Sequence, residues 1–339
     1  MLKINDDLMQ TLLVAIETEQ RQAVARIDGP GCSHLHYMLA YHLGWEGEGA
    51  GPEACGKRIR PVLVLLTCAA AGGAWQAALP AAAAVELVHN FSLIHDDIED
   101  NSPTRRGRPT LWKLWGVPQA INSGDALFTL AHLELGRLRE TRPAEVTLQA
   151  AELFEQACLQ LTQGQYLDLA YEARTDLFLD DYWPMIRGKT AALLAAGTEL
   201  GSLIAGVQEE RRSAFRRFGE HLGLAFQTQD DLLGIWGDAA LIGKSTASDL
   251  LTGKKSLPVL YGLGQRGKFA QRWYQGNIQP EEIESLAAQL EAEGGRDYTH
   301  RAAEEETEQA SQALEEAQPR GEAGEALTAL AHQLLHRQA

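Results

Sequence analysis

Apolar residues recur at three- and four-residue spacing along almost the whole chain, and no alternating stretch of convincing length interrupts them. That period lays one apolar stripe along a helix, whereas a half-buried strand needs a period of two. Such a chain buries its apolar surface by packing helix on helix, so the expected fold class is all-α. The spacing predicts helices over 5–27, from Pro61 to about Ala70, and from Pro80 through Asp97. Further helices are predicted over roughly 119–139, 143–172, 180–205, 208–236 and 256–264. Residues 29–56 read as a short apolar piece and a Gly-rich loop. Residues 279–336 read as amphipathic helices broken at Gly294–Gly295 and Pro319–Gly324. No linker rich in Pro, Gly or Ser and no internal repeat divides the chain, so residues 1–339 are expected to form a single domain.

Composition narrows the function. With 45% apolar and 22% charged residues the chain supports a sizeable core. Its net charge of −16 argues against a nucleic-acid partner, because binding a phosphate backbone needs a basic face. Between Glu281 and Glu316 twelve acids stand against two arginines, with the run Glu304–Glu306 read as a solvated face, and basic islands elsewhere suit a small anion bound locally. Four scattered cysteines with no metal spacing fit a reducing compartment. The N-terminal MLKINDDLMQ lacks the apolar core of a signal peptide. The most apolar stretches, Val62–Leu66 and Leu79–Val88, read as too short to span a bilayer. A cytoplasmic protein with no transmembrane segment is expected.

The chemistry concentrates in His89–Trp112, HNFSLIHDDIEDNSPTRRGRPTLW. On a helix Asp96 and Asp100, at i and i+4, project from one face. Hard oxygen ligands at that spacing suit Mg²⁺, which shares its remaining sites with water and substrate phosphates. Arg105 and Arg106 follow with the opposite charge. His89, two turns before Asp96, lies on the same face and is placed to donate to the same anion; a packed core histidine reads equally from the spacing. Upstream, Lys57 and Arg60 of GKRIRP stand near a helix start, where a Lys point charge and a bidentate Arg could grip phosphate. Lys189 and Thr190 form a Lys-Thr pair opening a small-residue helix, with no Walker A glycine before it. FQTQDDLLG, Phe226 to Gly234, repeats the acid pair, and Lys244, Asp249 and Lys254 follow. Two acid-bearing helices, each followed by bases, would clamp a diphosphate through bridging Mg²⁺.

GKRIRP, DDIEDNSPTRRG, GQYLDL, KT, FQTQDD and GKKSLP stand in the order found in the trans-isoprenyl diphosphate synthases, the polyprenyl synthetase family, and the chain resembles that family over roughly residues 30–265. The resemblance implies long α-helices around a deep central cavity, a homodimer, and Mg²⁺-dependent joining of isopentenyl diphosphate to an allylic diphosphate. It implies that Asp96 and Asp100 bind Mg²⁺, with Asp230 and Asp231 holding a further ion, three ions in all. It assigns Arg105, Lys189, Thr190, Gln227, Lys244 and Lys254 to the allylic diphosphate, and Lys57, Arg60, His89 and Arg106 to isopentenyl diphosphate. One position departs: where the family's second motif ends in a third aspartate, this chain has Gly234.

The reaction so implied ionises the allylic C–O bond, and the isopentenyl double bond attacks the resulting cation. A proton then leaves, with pyrophosphate as its acceptor, and no side-chain nucleophile takes part. The growing tail is expected to run down the helix below Asp96, past Ser92, Val88, Val85, Ala84 and Ala81. Phe91 would be the only aromatic there, and small Ser92 beside it predicts a C20 product, geranylgeranyl diphosphate. A farnesyl or longer polyprenyl synthase is the alternative. From other classes, Gly234 admits a non-catalytic partner subunit, and the acidic helix a class I terpene cyclase. The cyclase should lack GKRIRP and carry an Asn-x-x-x-Ser-x-x-x-Glu site that is not found here.

Overall fold

The computed structural model describes residues 6–27, 29–237, 248–276 and 278–335, and nearly all of them are helical. The first part of the chain forms α1 (Asp6–Val24), α2 (Ser33–His42), α3 (Pro52–Cys55), α4 (Ile59–Ala70) and α5 (Leu79–Glu99). After a two-stranded hairpin, β1 (Thr104–Arg105) and β2 (Arg108–Pro109), come α6 (Leu111–Trp115), α7 (Val117–Leu135) and α8 (Ala144–Glu172). Then follow α9 (Tyr182–Ile186), α10 (Ala192–Ala205) and α11 (Glu209–Trp236). Beyond them lie helices Ser248–Thr252, Leu257–Gln265, Lys268–Trp273, Ile283–Ala292, Gly295–Ala317 and Gly321–Leu335. Most periodic stretches become helices within a few residues of the expected ends. The exceptions are local. Ser33–His42 folds as a helix of its own, and the helix expected over 180–205 contains a wide π turn at Arg187–Ala191.

The chain divides into two compact units. The first comprises Met1–Glu155, Gly197–Arg212 and Pro319–Leu327. Its centre is α5, which packs on α1, α4 and α7. Ala81–Val85, Leu87 and Val88 are fully buried, because a helix that is apolar on all sides has no face to give to water. The four consecutive alanines add little bulk. Val62–Leu66 of α4, Leu12 and Ile16 of α1, and Ala120, Leu127 and Ala131 of α7 fill the space around them.

One expectation is corrected at α5. Among the described residues, Trp75–Glu99 spans 25 residues and is long and apolar enough to cross a membrane by length and composition. Yet 72% of its most apolar window is buried inside the protein, which is the state of a core helix.

The second unit comprises Gln156–Ala196, Ser213–Gln318 and Thr328–Ala339. Its core joins Tyr182, Met185 and Ile186 of α9 to Leu224 and Ile235 of α11 and to Leu257, Leu260, Phe269, Leu286 and Leu290 further on.

Candidate active site

In the first unit the chemistry gathers where α5 ends. Asn101 takes the left-handed conformation (φ 52°) just past the helix. Its N–H donates to Ile98 O at 3.2 Å, and the Ser102 N–H donates to Asp97 O at 2.9 Å. Both bonds of a Schellman cap are therefore made, and they fix Asp100 at the C-cap, just after the last helical residue. Asp96 is half-buried and Asp100 exposed. The last turn of α5 carries no basic residue, so these carboxylates sit against the negative end of the helix dipole. A cation there relieves that repulsion. Asp97 faces elsewhere: it is 2% exposed and accepts Arg105 Nε at 2.8 Å.

The hairpin presents the next charges. Arg106 (φ 51°) and Gly107 (φ 73°) form its two-residue loop, both left-handed as a type I′ turn requires. Arg106 Nη1 donates to Ala54 O at 2.9 Å, bringing the hairpin tip onto the GKRIRP loop. A Cβ on Gly56 would lie 2.5 Å from Arg106 Nη2, so only glycine admits this approach. Arg108, which sequence reasoning passed over, anchors the hairpin. Its guanidinium donates to the carbonyls of Glu48 (2.9 Å), Tyr41 (2.7 Å) and Glu46 (2.6 Å) and stacks on the Tyr41 ring.

Arg60 Nη1 lies 3.3 Å from His89 Nε2. Burial, then the charges of Arg60, Arg106 and Arg105, hold the basicity of His89 far below the usual imidazole value. His42, on α2, is pushed down to about 3 by burial and by Arg106, Arg105 and Arg108. Both rings stay neutral. Glu86, 2% exposed, is the buried carboxyl in this cluster; burial raises its pKa against the pull of Arg60 and Arg106. The balance is electropositive, with charged fork donors and neutral imidazoles that suit an anion. Lys57 is exposed at the same loop. His42 carried no motif, and only its proximity to the arginines reveals it.

In the second unit a hydrogen-bonded chain runs through the predicted residues. Thr190 Oγ1 donates to Gln227 Oε1 at 2.8 Å, and Gln227 Nε2 donates to Asp231 Oδ1 at 3.0 Å. Asp231 is 1% exposed, and its Oδ2 accepts the Tyr182 hydroxyl (2.8 Å) and the Leu257 N–H (2.9 Å). It is thus an organising carboxylate with both oxygens engaged. Lys254 Nζ lies 3.9 Å from Asp231 Oδ1. Burial works against the charge of Lys254, but Asp231, Asp249, Asp168 and Asp230 outweigh it and hold the pKa above its ordinary value. Lys189 pairs with Asp168 of GQYLDL. Gly164 of that motif makes room, because a Cβ there would lie 2.0 Å from the Lys189 backbone N. Lys244 falls outside the described residues.

Gly234 acquires a reason. A Cβ there would stand 2.5 Å from Asp249 Oδ2, so the Asp249 carboxyl occupies the space a side chain at 234 would need. Among the described residues no group of three or more His, Cys, Asp or Glu is assembled that could hold a metal alone. Two one-turn-apart carboxylates with no third protein ligand fit Mg²⁺, which takes its other ligands from water and phosphate.

Below Asp96, Phe91 packs against His95 and, on α7, Phe128, with ring centroids 4.7 and 4.9 Å apart. Phe128 meets His132 in turn at a tilt, and His132 meets Phe154 edge-on. Phe91 is therefore one member of an aromatic column, which the sequence of α5 alone could not show. Val88, Val85, Ala84 and Ala81 are fully buried, whereas Phe91 and Ser92 are half-buried.

The polyprenyl synthetase family model matches residues 51–290. The chain is 42% identical over 286 residues to the (2E,6E)-farnesyl diphosphate synthase of Mycobacterium bovis, covering 81% of this chain and 77% of that one. It is 41% identical over 290 residues to the geranylgeranyl diphosphate synthase of Mycobacterium tuberculosis, covering 84% and 82%. A polyprenyl synthetase of Streptomyces coelicolor A3(2) superposes with a TM-score of 0.86 at 35% identity, over 98% of this chain and 99% of that one. A geranylgeranyl pyrophosphate synthase of Corynebacterium glutamicum, solved with isoprenyl diphosphate and magnesium, gives 0.85 at 25% identity, over 99% and 100%. With its motifs in place and likeness of this extent, the chain belongs to the polyprenyl synthetase family and is a trans-isoprenyl diphosphate synthase, a prenyltransferase by class.

Proposed function

We propose that the protein condenses isopentenyl diphosphate with an allylic diphosphate to give geranylgeranyl diphosphate. The observation that carries the reading is the end of α5, where two carboxylates lie close in sequence to a cluster of arginines and neutral histidines. Arg60, Arg106 and Lys57 would hold the isopentenyl diphosphate, with the neutral His89 ring available to donate. Arg105, Lys189, Thr190, Gln227, Lys244 and Lys254 are assigned to the allylic diphosphate. Asp96, Asp100 and Asp230 would hold Mg²⁺, three ions in all, with Asp249 in the place the family gives a third aspartate and Asp231 orienting its neighbours. When bound, Mg²⁺ supplies charge that stabilises the departing pyrophosphate. The side chains position both substrates and keep water from the cation. The C–O electron pair leaves with pyrophosphate, the isopentenyl double bond forms the new C–C bond, and a proton passes to pyrophosphate.

Ser92 supports the C20 product, since it is small and its hydroxyl turns back to His89 O at 2.8 Å. A C15 product is the second reading, favoured by the aromatic column and the closed packing beneath it. Incubation with Mg²⁺, isopentenyl diphosphate and farnesyl diphosphate separates them: conversion to a C20 diphosphate is expected, and farnesyl diphosphate recovered unchanged overturns it. We place the protein in the cytoplasm as a homodimer of single-domain chains. All four cysteines are free thiols, as a reducing compartment permits. Leu114, Val117 and Ile121 expose apolar surface that a second copy would cover.

A further inference from the structure

Between Lys57 and Arg60 stands Arg58, a residue the reaction does not claim. It takes the left-handed conformation, φ 49° and ψ 36°, immediately before α4. A non-glycine residue adopts that backbone only when its surroundings hold it there. Its side chain is 9% exposed, and Nη1 meets Glu17 Oε2 of α1 at 2.9 Å. Glu17 is itself fixed, because its Oε1 accepts Arg21 Nε at 2.9 Å and the Arg21 guanidinium lies over the Trp45 ring at 4.4 Å. Beside this tie open space lies between the loop and α1. A cavity of about 710 Å³ separates them, lined by Leu13 and Val14 on one side, Ala50 and Pro52 on the other, and Lys57. Apolar contact therefore fills this side only in part, and a polar tie bridges it. The Arg58–Glu17 ion pair ties the loop to α1 on this side, and Arg106 lies against Gly56 on the other.

We infer that Glu17 and Arg58 are positioning residues for the isopentenyl diphosphate site, and that α1 sets the placement of Lys57 and Arg60 through them. The substrate's identity rests on the function proposed above. The Arg58 tie on one side and Arg106 against Gly56 on the other bracket Lys57, so Lys57 and Arg60 start from a fixed backbone. Losing the tie frees the loop to move toward the cavity and weakens the grip on one substrate only.

The test measures KM for each substrate separately, together with metal-free binding of isopentenyl diphosphate by calorimetry. Glu17→Gln keeps the shape of a partly exposed side chain and removes its charge. Arg58→Gly keeps the left-handed backbone and removes the tie. Both variants are expected to raise KM and Kd for isopentenyl diphosphate about tenfold, with kcat and the allylic KM within about twofold of the parent. Unchanged binding in Glu17→Gln overturns the inference, as does an equal rise in both KM values with a lowered melting temperature, which marks a merely structural tie. Failure of the unaltered protein to consume isopentenyl diphosphate would instead sink the function beneath it.

Discussion

At the scale of single residues, neutral histidines and a borrowed carboxylate carry the most testable chemistry. His42 has a folded-state pKa of about 3, below its ordinary 6.5. Between those values the unfolded chain binds a proton that the folded chain refuses. Stability therefore rises with pH across that window and is complete above it, with a slope of at most about 1.4 kcal/mol per pH unit. His42→Gln is expected to flatten the loss of stability between pH 7 and pH 5, read by urea unfolding at both values. An unchanged difference refutes it. Glu134 acts with the opposite sign: burial raises it to about 7, so its contribution is present below 4.5 and fades as pH climbs through 7. Comparing the variant with its parent cancels that effect. Asp249, standing over Gly234, supports a second expectation. Asp249→Gly should raise the Mg²⁺ concentration needed for half-maximal rate about tenfold, and adding Gly234→Asp should restore part of it, because the two sites share one space. A double variant no better than the single one refutes the exchange.

Elements add constraints that no single residue shows. The π turn Arg187–Ala191 carries Lys189 and Thr190, and π turns inside helices recur at functional sites. Its closeness to α8 depends on Gly164, so Gly164→Ala must push the Lys189 backbone away. A loss of about 1–3 kcal/mol in stability is expected, the range typical of overpacking. A fall in kcat should accompany it, since Lys189 moves from Asp168. Thermal melting and steady-state rates measure both, and a variant with parental melting and rate counts against the close approach. Helix periods made the surrounding helices visible in advance, though not the π turn itself. The hairpin Thr104–Pro109 escaped because two-residue strands show no alternation.

For the whole molecule the expectation is a homodimer of chains that each unfold as one cooperative unit. Light scattering should give twice the 37.1 kDa of the protomer. Melting temperature should rise with protein concentration, through mass action. Concentration-independent melting at 37.1 kDa excludes the dimer, and two separated transitions would mean that the two compact units fold independently.

What the sequence determined by itself was local or ordinal. Helical periodicity needs only neighbours three and four residues away, and Asp96 and Asp100 needed only a helix to share a face. The order of six short motifs was enough to point to the family. What the tertiary structure decided involves partners far apart in the chain, for which no periodic signal exists. Asp231 read as a further metal ligand, and the structure adds what spacing could not show: Gln227, Tyr182 and Leu257 donate to its oxygens, as Arg105 donates to one oxygen of Asp97. Phe91 looked solitary until Phe128 was brought against it, and Arg58, to which the sequence assigned no role, meets Glu17 from 41 positions away. A carboxylate is the same letter whether it grips a metal or a hydrogen bond. Only packing settles which, because packing decides which donors reach it and whether any lone pair is left for an ion.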